Sequence, residues 1–236
     1  PLIKRGELVI TQGFIGRDEQ GKTTTLGRGG SDYSAALLAE VLNAQDVLIW
    51  TDVSGIYTTD PRIVSNAQRI DTMSFSEAAE MATFGAKVLH PATLLPAVRS
   101  NIPVYVGSSK APQDGGTWVT RNPQPRPTFR AIALRRDQTL LTLSSLNMLY
   151  AQGFLANIFT ILAKHKISVD TITTSEVSVA LTLDKMGSAA SGSSLLSQEL
   201  IDELSQFCTV KVDTGLSLVA LIGNELHTAS GVAKRI

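Results

Sequence analysis

LGRGGSDYSAALLAEVL, from Leu26 to Leu42, is the stretch that decides how this sequence is interpreted. It runs from a glycine-rich loop directly into an amphipathic pattern. Ala35, Leu38 and Leu42 recur at helical spacing, which predicts a helix with these residues facing a core. A loop that opens a helix in this way is expected to lie at a functional edge of a mixed α/β fold.

The loop has the composition of an anion-binding site. Its three glycines permit backbone conformations that other residues rarely adopt and let a ligand approach main-chain N–H groups; they are Gly27, Gly29 and Gly30. Ser31 and Asp32 stand where a helix N-terminus favours an oxygen acceptor, and Arg28 could pair with a carboxylate or phosphate. Neither the dinucleotide-binding nor the P-loop spacing of glycines is present, so a plain loop-to-helix turn is the alternative.

Composition narrows the class of protein. The chain has 236 residues, enough for two domains, and 21 basic residues balance 21 acidic ones. Zero net charge argues against nucleic acid or an anionic membrane as the main partner. The single cysteine, Cys208, excludes an internal disulfide and fits a cytoplasmic location. The three histidines are scattered, so no metal site is indicated, and no apolar run reaches membrane-spanning length.

Both ends of the sequence suggest an internal piece of a longer protein. The chain opens at Pro1 without a starting methionine, close to a predicted strand. It closes on residues 231–236, which have the pattern of the first turns of a helix. We therefore expect further segments on both sides.

Two apolar runs flank the opening helix, Glu7 to Phe14 and Asp46 to Trp50, and both are predicted to be buried strands. A strand, a helix and a strand in that order predict a parallel crossover, and ligands of such sheets bind at the carboxyl ends of the strands. The polar loop after the second strand, residues 51–62, begins at such an end. A solvated surface loop is the alternative.

A second well-signalled helix is predicted from Ser74 to Phe84, with a serine cap, early glutamates and Gly85 after it. Lys87 follows the helix end, where a lysine is usually a favourable charge beside the C-terminal dipole. Arg121 to Pro127 contains three prolines in seven residues and is predicted to be a stiff linker.

The second half is predicted to have the order β-α-β-β-α-β of a ferredoxin-like domain. Its first helix, Phe154 to Lys164, has one apolar face. Gly153 before this helix and Asp170 on the following strand form a polar notch, for which a purely structural role is the alternative. We divide the chain into a first domain over residues 1–121, a linker over 122–128, a second domain over 129–215 and the start of a further unit over 216–236.

Long motifs across the whole chain resemble aspartokinases of the lysine-sensitive type. They are TTTLGRGGSDYSAALLAE at 23–40, WTDVSGIYTTDPR at 50–62, FSEAAEMATFGAKVLHPAT at 75–93, SLNML at 145–149, GFLA at 153–156, ISVD at 167–170 and TTSEVSV at 173–179. The resemblance implies the C-terminal part of an amino-acid-kinase αβα sandwich, followed by a ferredoxin-like ACT regulatory domain and a truncated second ACT unit.

The same resemblance implies an activity and its residues. The reaction transfers the γ-phosphate of ATP, bound with Mg²⁺, to the side-chain carboxylate of L-aspartate, the first step of lysine, threonine and methionine biosynthesis. Substrate binding is assigned to Arg28, Gly29, Gly30 and Ser31, and catalysis to Asp32 and Lys87. Nucleotide binding is assigned to Thr51, Asp52, Tyr57, Arg62, Lys87 and Val88.

The resemblance further implies feedback inhibition by L-lysine and a homodimer, or a larger oligomer, that forms through ACT domains. The lysine contacts fall on Met148, Phe154, Leu155, Ser168, Val169, Asp170, Thr174 and Ser175. The upstream KFGGT motif of the family is absent, so the chain is expected to carry half an active site and to be inactive by itself. The alternatives are a lysine-binding dimerisation module and an α/β protein with an unrelated phosphate site.

Overall fold

The computed structural model describes residues 5–27, 29–85, 89, 94–149, 152–184, 188 and 195–235. The chain divides into two compact units. Unit 1 consists of Pro1–Leu134 and Val219–Ile236, and unit 2 of Arg135–Leu218. Unit 1 is therefore built from two separate stretches of sequence, whereas unit 2 is continuous.

Unit 1 contains a hairpin, a mixed sheet and short helices. Its elements are β1 (Ile15–Arg17), β2 (Thr23–Thr25), α1 (Gly30–Leu42), β3 (Val47–Thr51), β4 (Thr72–Ser74), α2 (Phe75–Thr83), α3 (Leu95–Ser100), β5 (Val104–Ser108) and β6 (Gly116–Thr120). β1 and β2 pair antiparallel, and the larger sheet has the order β3-β5-β6-β4. β3 runs parallel to β5 and β4 runs parallel to β6, while β5 and β6 are antiparallel.

The strand predicted from Glu7 to Phe14 is not formed. Residues 7–13 lie outside any helix or strand, and the side chains of Leu8 and Ile10 are 90% and 88% exposed. A strand is stable only when a neighbouring strand accepts its backbone hydrogen bonds, and no strand among the described residues pairs with this run. The parallel crossover instead joins β3 to β5.

Helix α1 forms as predicted, but with a different buried face. Ala36 and Ala39 are buried, whereas Leu38 and Leu42 are 45% and 52% exposed. Small side chains allow a helix to approach its neighbours closely, and α1 contacts β3 and α3. The periodicity was therefore interpreted correctly as helical, and the assignment of Leu38 and Leu42 to the core was wrong. Ala35 packs against the core only partly buried.

Helix α2 begins at a complete capping box. The Ser74 hydroxyl accepts a hydrogen bond from the backbone N–H of Glu77 at 3.1 Å, and the Glu77 carboxylate accepts one from the backbone N–H of Ser74 at 2.7 Å. This arrangement satisfies two N–H groups that a helix start otherwise leaves without acceptors. The predicted serine cap is confirmed.

Glu77 also anchors two distant parts of unit 1. Its Oε1 accepts hydrogen bonds from Arg130 Nε and from Asn224 Nδ2, each at 2.8 Å. Its side chain is 3% exposed and that of Arg130 is 8% exposed, so this is a buried ion pair. Two opposing effects act on the pKa of Glu77: burial raises it, and hydrogen bonds from Ser74, Arg130 and Asn224 lower it. The hydrogen bonds outweigh burial, so the pKa of Glu77 lies below its ordinary value.

The same cluster fixes the backbone on both sides. Arg130 donates to the carbonyl of Pro125 at 2.9 Å, and Asn224 donates to the carbonyl of Pro127 at 3.0 Å. The backbone N–H of Arg130 also donates to the carbonyl of Ile222 at 2.8 Å. The predicted linker and the residues that return after unit 2 are therefore joined at the start of α2.

Unit 2 has the predicted ferredoxin-like order. Its elements, two of which begin or end in unit 1, are β7 (Ala131–Ser144), α4 (Phe154–Lys164), β8 (Ser168–Thr174), β9 (Ser178–Asp184), α5 (Gln198–Ser205) and β10 (Thr209–Ile222). The sheet order is β10-β7-β9-β8. β7 and β10 are each a continuous strand of 14 residues. The chain ends in a short helix, α6 (Val232–Arg235), which belongs to unit 1.

The core of unit 2 lies between its sheet and the two helices. Ile158 and Leu162 of α4 are fully buried, as are Leu200 and Leu204 of α5. They pack with alternating residues of the strands, among them Leu141, Leu143, Val179 and Leu181. The predicted apolar face of Phe154 to Lys164 is confirmed, and so is the α/β class of the chain. Among the described residues, no helix has the length and apolar composition needed to cross a membrane.

The buried ion pair predicts how Glu77→Gln affects unit 1. The substitution keeps the size of the side chain but leaves Arg130 buried without a counter-ion, which should cost about 3–5 kcal/mol of unfolding free energy. Denaturant unfolding followed by tryptophan fluorescence measures this directly, because both tryptophans, Trp50 and Trp118, lie in unit 1.

Asp71→Asn is the matched control. It removes a carboxylate of the same unit whose side chain is 82% exposed beside Arg69, and should cost about 1 kcal/mol or less. The lowered pKa of Glu77 stabilises the fold above the unfolded value of about 4.3, and this stabilisation is lost as pH falls through the folded value. The acid-dependent loss should be smaller in Glu77→Gln. Equal stability of the two variants would contradict the assigned role.

Candidate functional sites

The glycine-rich loop opens α1 as the sequence predicts. Gly29 is the residue before the helix and has a φ of 70°, in the left-handed region that favours glycine. At Gly30 an added Cβ would lie 2.9 Å from Leu26 Cβ, so the loop is closely packed. No side chain caps the helix; Ser31 and Asp32 instead lie in its first turn, which corrects the predicted capping role. The N–H of Gly30 donates to the carbonyl of Gly27 at 3.1 Å, and among the described contacts no side chain caps the other N–H groups of the first turn.

Asp32 is the acidic residue of this first turn. Its side chain is half-buried, and burial raises its pKa above the ordinary value. Helix starts favour negative charge, so the dipole acts against this effect. Raised carboxyl pKa values are frequent in active sites, because such groups accept or hold protons more readily. A half-buried carboxyl group in the first turn of a helix, as at Asp32, is suited to orient charged groups beside it.

Three predicted site residues, Arg28, Lys87 and Val88, lie outside the described residues. The segments beside them are described. Gly27 and Gly29 both have positive φ, and α2 ends at Thr83, with Gly85 at a φ of 126°. The predicted end of α2 is thus confirmed, and Lys87 follows it in the sequence.

The carboxyl ends of β3 and β5 meet, as expected for parallel neighbours. The backbone N–H and the hydroxyl of Ser109 both donate to the carbonyl of Thr51, at 2.8 Å and 3.0 Å. The Thr51 hydroxyl donates to Asp52 Oδ1 at 3.2 Å. The Ser108 hydroxyl accepts hydrogen bonds from the backbone of Lys110 and Ala111. Thr51 and Asp52 were predicted from the sequence, whereas Ser108, the last residue of β5, and Ser109 after it were not.

The loop that carries Tyr57 and Arg62 is fixed to β6 through Thr117. The hydroxyl of this fully buried residue accepts from the backbone N–H of Ile56 at 2.8 Å and donates to the carbonyl of Ile70 at 2.6 Å. Gly55 makes the approach possible, because its φ is 110° and an added Cβ would lie 2.6 Å from the Thr117 hydroxyl. The loop is therefore positioned by buried contacts and is not simply a solvated connection.

Arg62 belongs to the same loop, and its exposed side chain forms a bidentate ion pair with Asp60. Arg62 Nε donates to Oδ1 at 2.9 Å and Nη2 donates to Oδ2 at 2.8 Å. The hydrogen bond and charge of Asp60 raise the pKa of Arg62, and the charge of Asp52 adds to this effect. Among the described contacts, Arg62 bonds to Asp60 and makes no hydrogen bond or ion pair with Thr51 or Asp52. Ser31 and Asp32 make no hydrogen bond or ion pair with this loop among the described contacts.

In unit 2, Asp170 lies at an irregularity of β8. Val169 is opposite Leu183 of β9, whereas Thr171 is opposite Thr182, so Asp170 is an extra residue in the ladder. Such bulges re-aim side chains and are frequent beside functional sites. The Asp170 carboxylate lies 2.9 Å from Arg135 Nη2, with side chains 15% and 21% exposed. Arg135 is the residue of this site that sequence analysis missed.

The other predicted lysine contacts lie on α4, β8 and the segments beside them. Phe154 is buried at the start of α4, whereas Leu155 is 38% exposed, and Gly153 precedes them with a φ of 82° and no side-chain cap. The remaining members are Met148, which packs against the core, Ser168, Val169 and Thr174 on β8, and Ser175, whose hydroxyl bonds that of Ser178 at 2.8 Å. The described part of the chain contains no group of three His, Cys, Asp or Glu side chains that could hold a metal ion.

Comparison with known proteins gives the context of these sites. The amino acid kinase family matches residues 1–108. The chain is 68% identical over 236 residues to lysine-sensitive aspartokinase 3 of Escherichia coli K12, covering all of this chain and 52% of that protein. It is 40% identical over 225 residues to chloroplastic aspartokinase 1 of Arabidopsis thaliana, covering 93% of this chain and 39% of that protein.

Two solved structures of E. coli aspartokinase III share the fold. One, in complex with lysine and aspartate in a T-state, matches with a TM-score of 0.83 and 69% identity over 95% of this chain and 50% of that chain. The other, with aspartate and ADP in an R-state, matches with a TM-score of 0.84 and 69% identity over 98% of this chain and 52% of that chain.

The chain spans about half the length of the E. coli relative and less of the plant relative. Both of its units are covered by these matches, from the glycine-rich loop to the ferredoxin-like sheet. The resemblance stated from the motifs is thereby confirmed along the whole sequence. The chain belongs to the aspartokinases, within the amino acid kinase family.

Proposed function

We propose that this chain is the C-terminal part of the catalytic domain, together with the regulatory domain, of a lysine-sensitive aspartate kinase. The reaction would transfer the ATP γ-phosphate to the side-chain carboxylate of L-aspartate and give 4-phospho-L-aspartate. The observation that carries this proposal is the glycine-rich loop at the start of α1, whose first-turn N–H groups are not capped by a side chain. Arg28, Gly29, Gly30 and Ser31 would hold the aspartate there, with Arg28 on its α-carboxylate.

The nucleotide would bind at the edge where β3 and β5 end. Thr51, Asp52, Tyr57 and Arg62 line this edge in the proposal, and the Thr117 anchor supports the loop that carries the last two. Arg62 supplies positive charge for phosphates. Mg²⁺ would arrive with the ATP and neutralise phosphate charge. Phosphoryl transfer needs positioning and charge neutralisation more than a covalent catalyst, which fits these residues together with Lys87, Val88 and Asp32.

Unit 2 would bind L-lysine as the feedback effector. Asp170 is acidic and half-buried, which suits an ammonium group, and the start of α4 offers N–H groups that suit a carboxylate. We propose that the protein forms a homodimer through its ACT domains and works in the cytoplasm, without nucleic acid or membrane as a partner.

The chain spans 52% of the E. coli relative, so the proposed reaction is assigned to a protein that also contains the part corresponding to the N-terminal half of that relative. A second candidate function is therefore a lysine-binding dimerisation module. The hydrophobic core of unit 2 favours this second function, because the described residues that form the core all belong to unit 2. Activity in a longer protein that supplies the N-terminal half of its relatives decides between the two.

In that longer protein, Arg28→Ala should reduce kcat/KM for aspartate. Removing a bidentate partner from a buried carboxylate should cost about 2–4 kcal/mol of transition-state stabilisation. Steady-state kinetics with varied aspartate measure the effect, and Arg99→Ala, an exposed arginine on α3, serves as the control. An unchanged kcat/KM in Arg28→Ala would remove Arg28 from the substrate site.

Lys87→Ala in the same protein should lower kcat more than it weakens aspartate binding. An ammonium on the phosphates interacts most strongly in the transition state, where charge develops on the transferring group. A kcat within about twofold of wild type, which corresponds to roughly 0.4 kcal/mol, would leave Lys87 as a helix-end charge only. Lys22→Ala, in the exposed turn between β1 and β2, is the matched control.

L-lysine should bind the chain itself, and Asp170→Asn should abolish most of that binding. Ligand at a hundredfold excess over its dissociation constant stabilises the folded state by about 2.7 kcal/mol, which a thermal melt detects. Asp213→Asn is the control, because it removes a carboxylate of the same unit that pairs with the exposed Lys211. Equal lysine-dependent stabilisation in Asp170→Asn and wild type would place the effector site elsewhere.

A further inference from the structure

The Asp170 carboxylate, the proposed partner of the lysine ammonium, already has a cation beside it. Arg135 of β7 places Nη2 at 2.9 Å from Asp170 Oδ2. In the sheet order β10-β7-β9-β8 the two residues belong to strands separated by β9, and Arg135 lies before Thr139, where the pairing of β7 with β9 begins. The bulge at Asp170 releases that residue from the regular ladder, and the contact becomes possible.

Despite this contact, one oxygen of the Asp170 carboxylate accepts no hydrogen bond from the described residues. Asp170 Oδ2 is buried from solvent, and no hydrogen bond reaches it from the described residues, since the Arg135 contact lacks hydrogen-bond geometry. A buried carboxylate oxygen without a hydrogen bond is costly. Charge attraction from Arg135 therefore holds the site while its capacity to accept a hydrogen bond remains unused.

An ammonium group can supply what the guanidinium does not. It is compact and carries three donors that rotate freely, whereas the donors of a guanidinium are fixed in one plane. A second cation placed beside the first would be repelled, because the carboxylate carries a single negative charge. An ammonium that pairs fully with Asp170 therefore requires Arg135 to move away from it.

We propose that Arg135 is an internal competitor for the effector site, which occupies Asp170 in the unliganded protein and must be displaced when L-lysine binds. Lysine binds the molecules in which Arg135 does not hold Asp170. The apparent lysine affinity is therefore the intrinsic affinity multiplied by the fraction of such molecules. Arg135 is thus a residue that determines the lysine concentration at which the protein responds. This inference rests on the proposed lysine site at Asp170.

Calorimetric titration of the whole chain with L-lysine tests the competition. Arg135→Gln removes the charge, and we expect its lysine dissociation constant to be at least tenfold lower than that of wild type. Arg135→Met, which keeps the apolar stem, should show the same tightening and serves if Arg135→Gln does not fold. Arg135→Lys keeps the charge and places an ammonium of the protein beside Asp170, so its lysine dissociation constant should not fall below that of wild type.

Two controls separate competition from a loosened structure. Lys211→Gln removes one positive charge from the same unit at an exposed pair, and should leave the lysine dissociation constant within twofold. Hexanoate keeps the carboxylate and the apolar stem of lysine without either ammonium group, and its binding should not tighten in Arg135→Gln. A gain for both ligands would mean that the substitution opens the site generally, and would overturn the proposal.

The remaining outcomes are also distinct. Wild type that binds lysine while Arg135→Gln binds equally or more weakly would overturn the competition and leave the lysine site in place; a large weakening would instead assign Arg135 to the lysine carboxylate. Absence of lysine binding by wild type, Arg135→Gln and Arg135→Met would overturn both the site and the competition. Binding by the neutral variants alone would support both.

Discussion

The buried carboxylate of Glu77 is the constraint on which unit 1 depends. A charge in this environment is tolerated only when it is paired and fully hydrogen-bonded, and its partners come from three parts of the sequence: Ser74, Arg130 and Asn224. Each partner is therefore fixed in place relative to the start of α2. The same carboxylate therefore fixes the start of α2, which precedes the proposed catalytic Lys87 in the sequence.

The parts of the fold that could be predicted are those decided within a few residues. The capping box at Ser74, the glycine after α2 and the apolar face of Phe154 to Lys164 are local signals, and the structure agrees with each. The ferredoxin-like order of unit 2 follows from the alternation of such signals. The glycine-rich loop that opens α1 is likewise a local signal, whereas the absence of a side-chain cap at this helix start was not predicted.

The failures concern contacts between residues far apart in sequence. Glu7 to Phe14 has the composition of a strand, but pairing requires a partner that local pattern does not specify. The choice of Ala36 over Leu38 as the buried face depends on how closely α1 approaches β3. Arg135 lies 35 positions before Asp170, and only the bulge in β8 brings the pair together. The assignment of these residues to a site stays a prediction, and the Arg135 partner of Asp170 was not predicted from the sequence.

Unit 1 being made from two stretches of sequence has a practical consequence for dissecting the protein. Ile222, which is 1% exposed, belongs to the unit 1 core, and Asn224 completes the hydrogen bonds of Glu77. A truncation at the proline-rich linker would remove both, so the catalytic half cannot be excised cleanly by a single cut. Deleting residues 135–218 and bridging the gap with a short flexible connection would retain them.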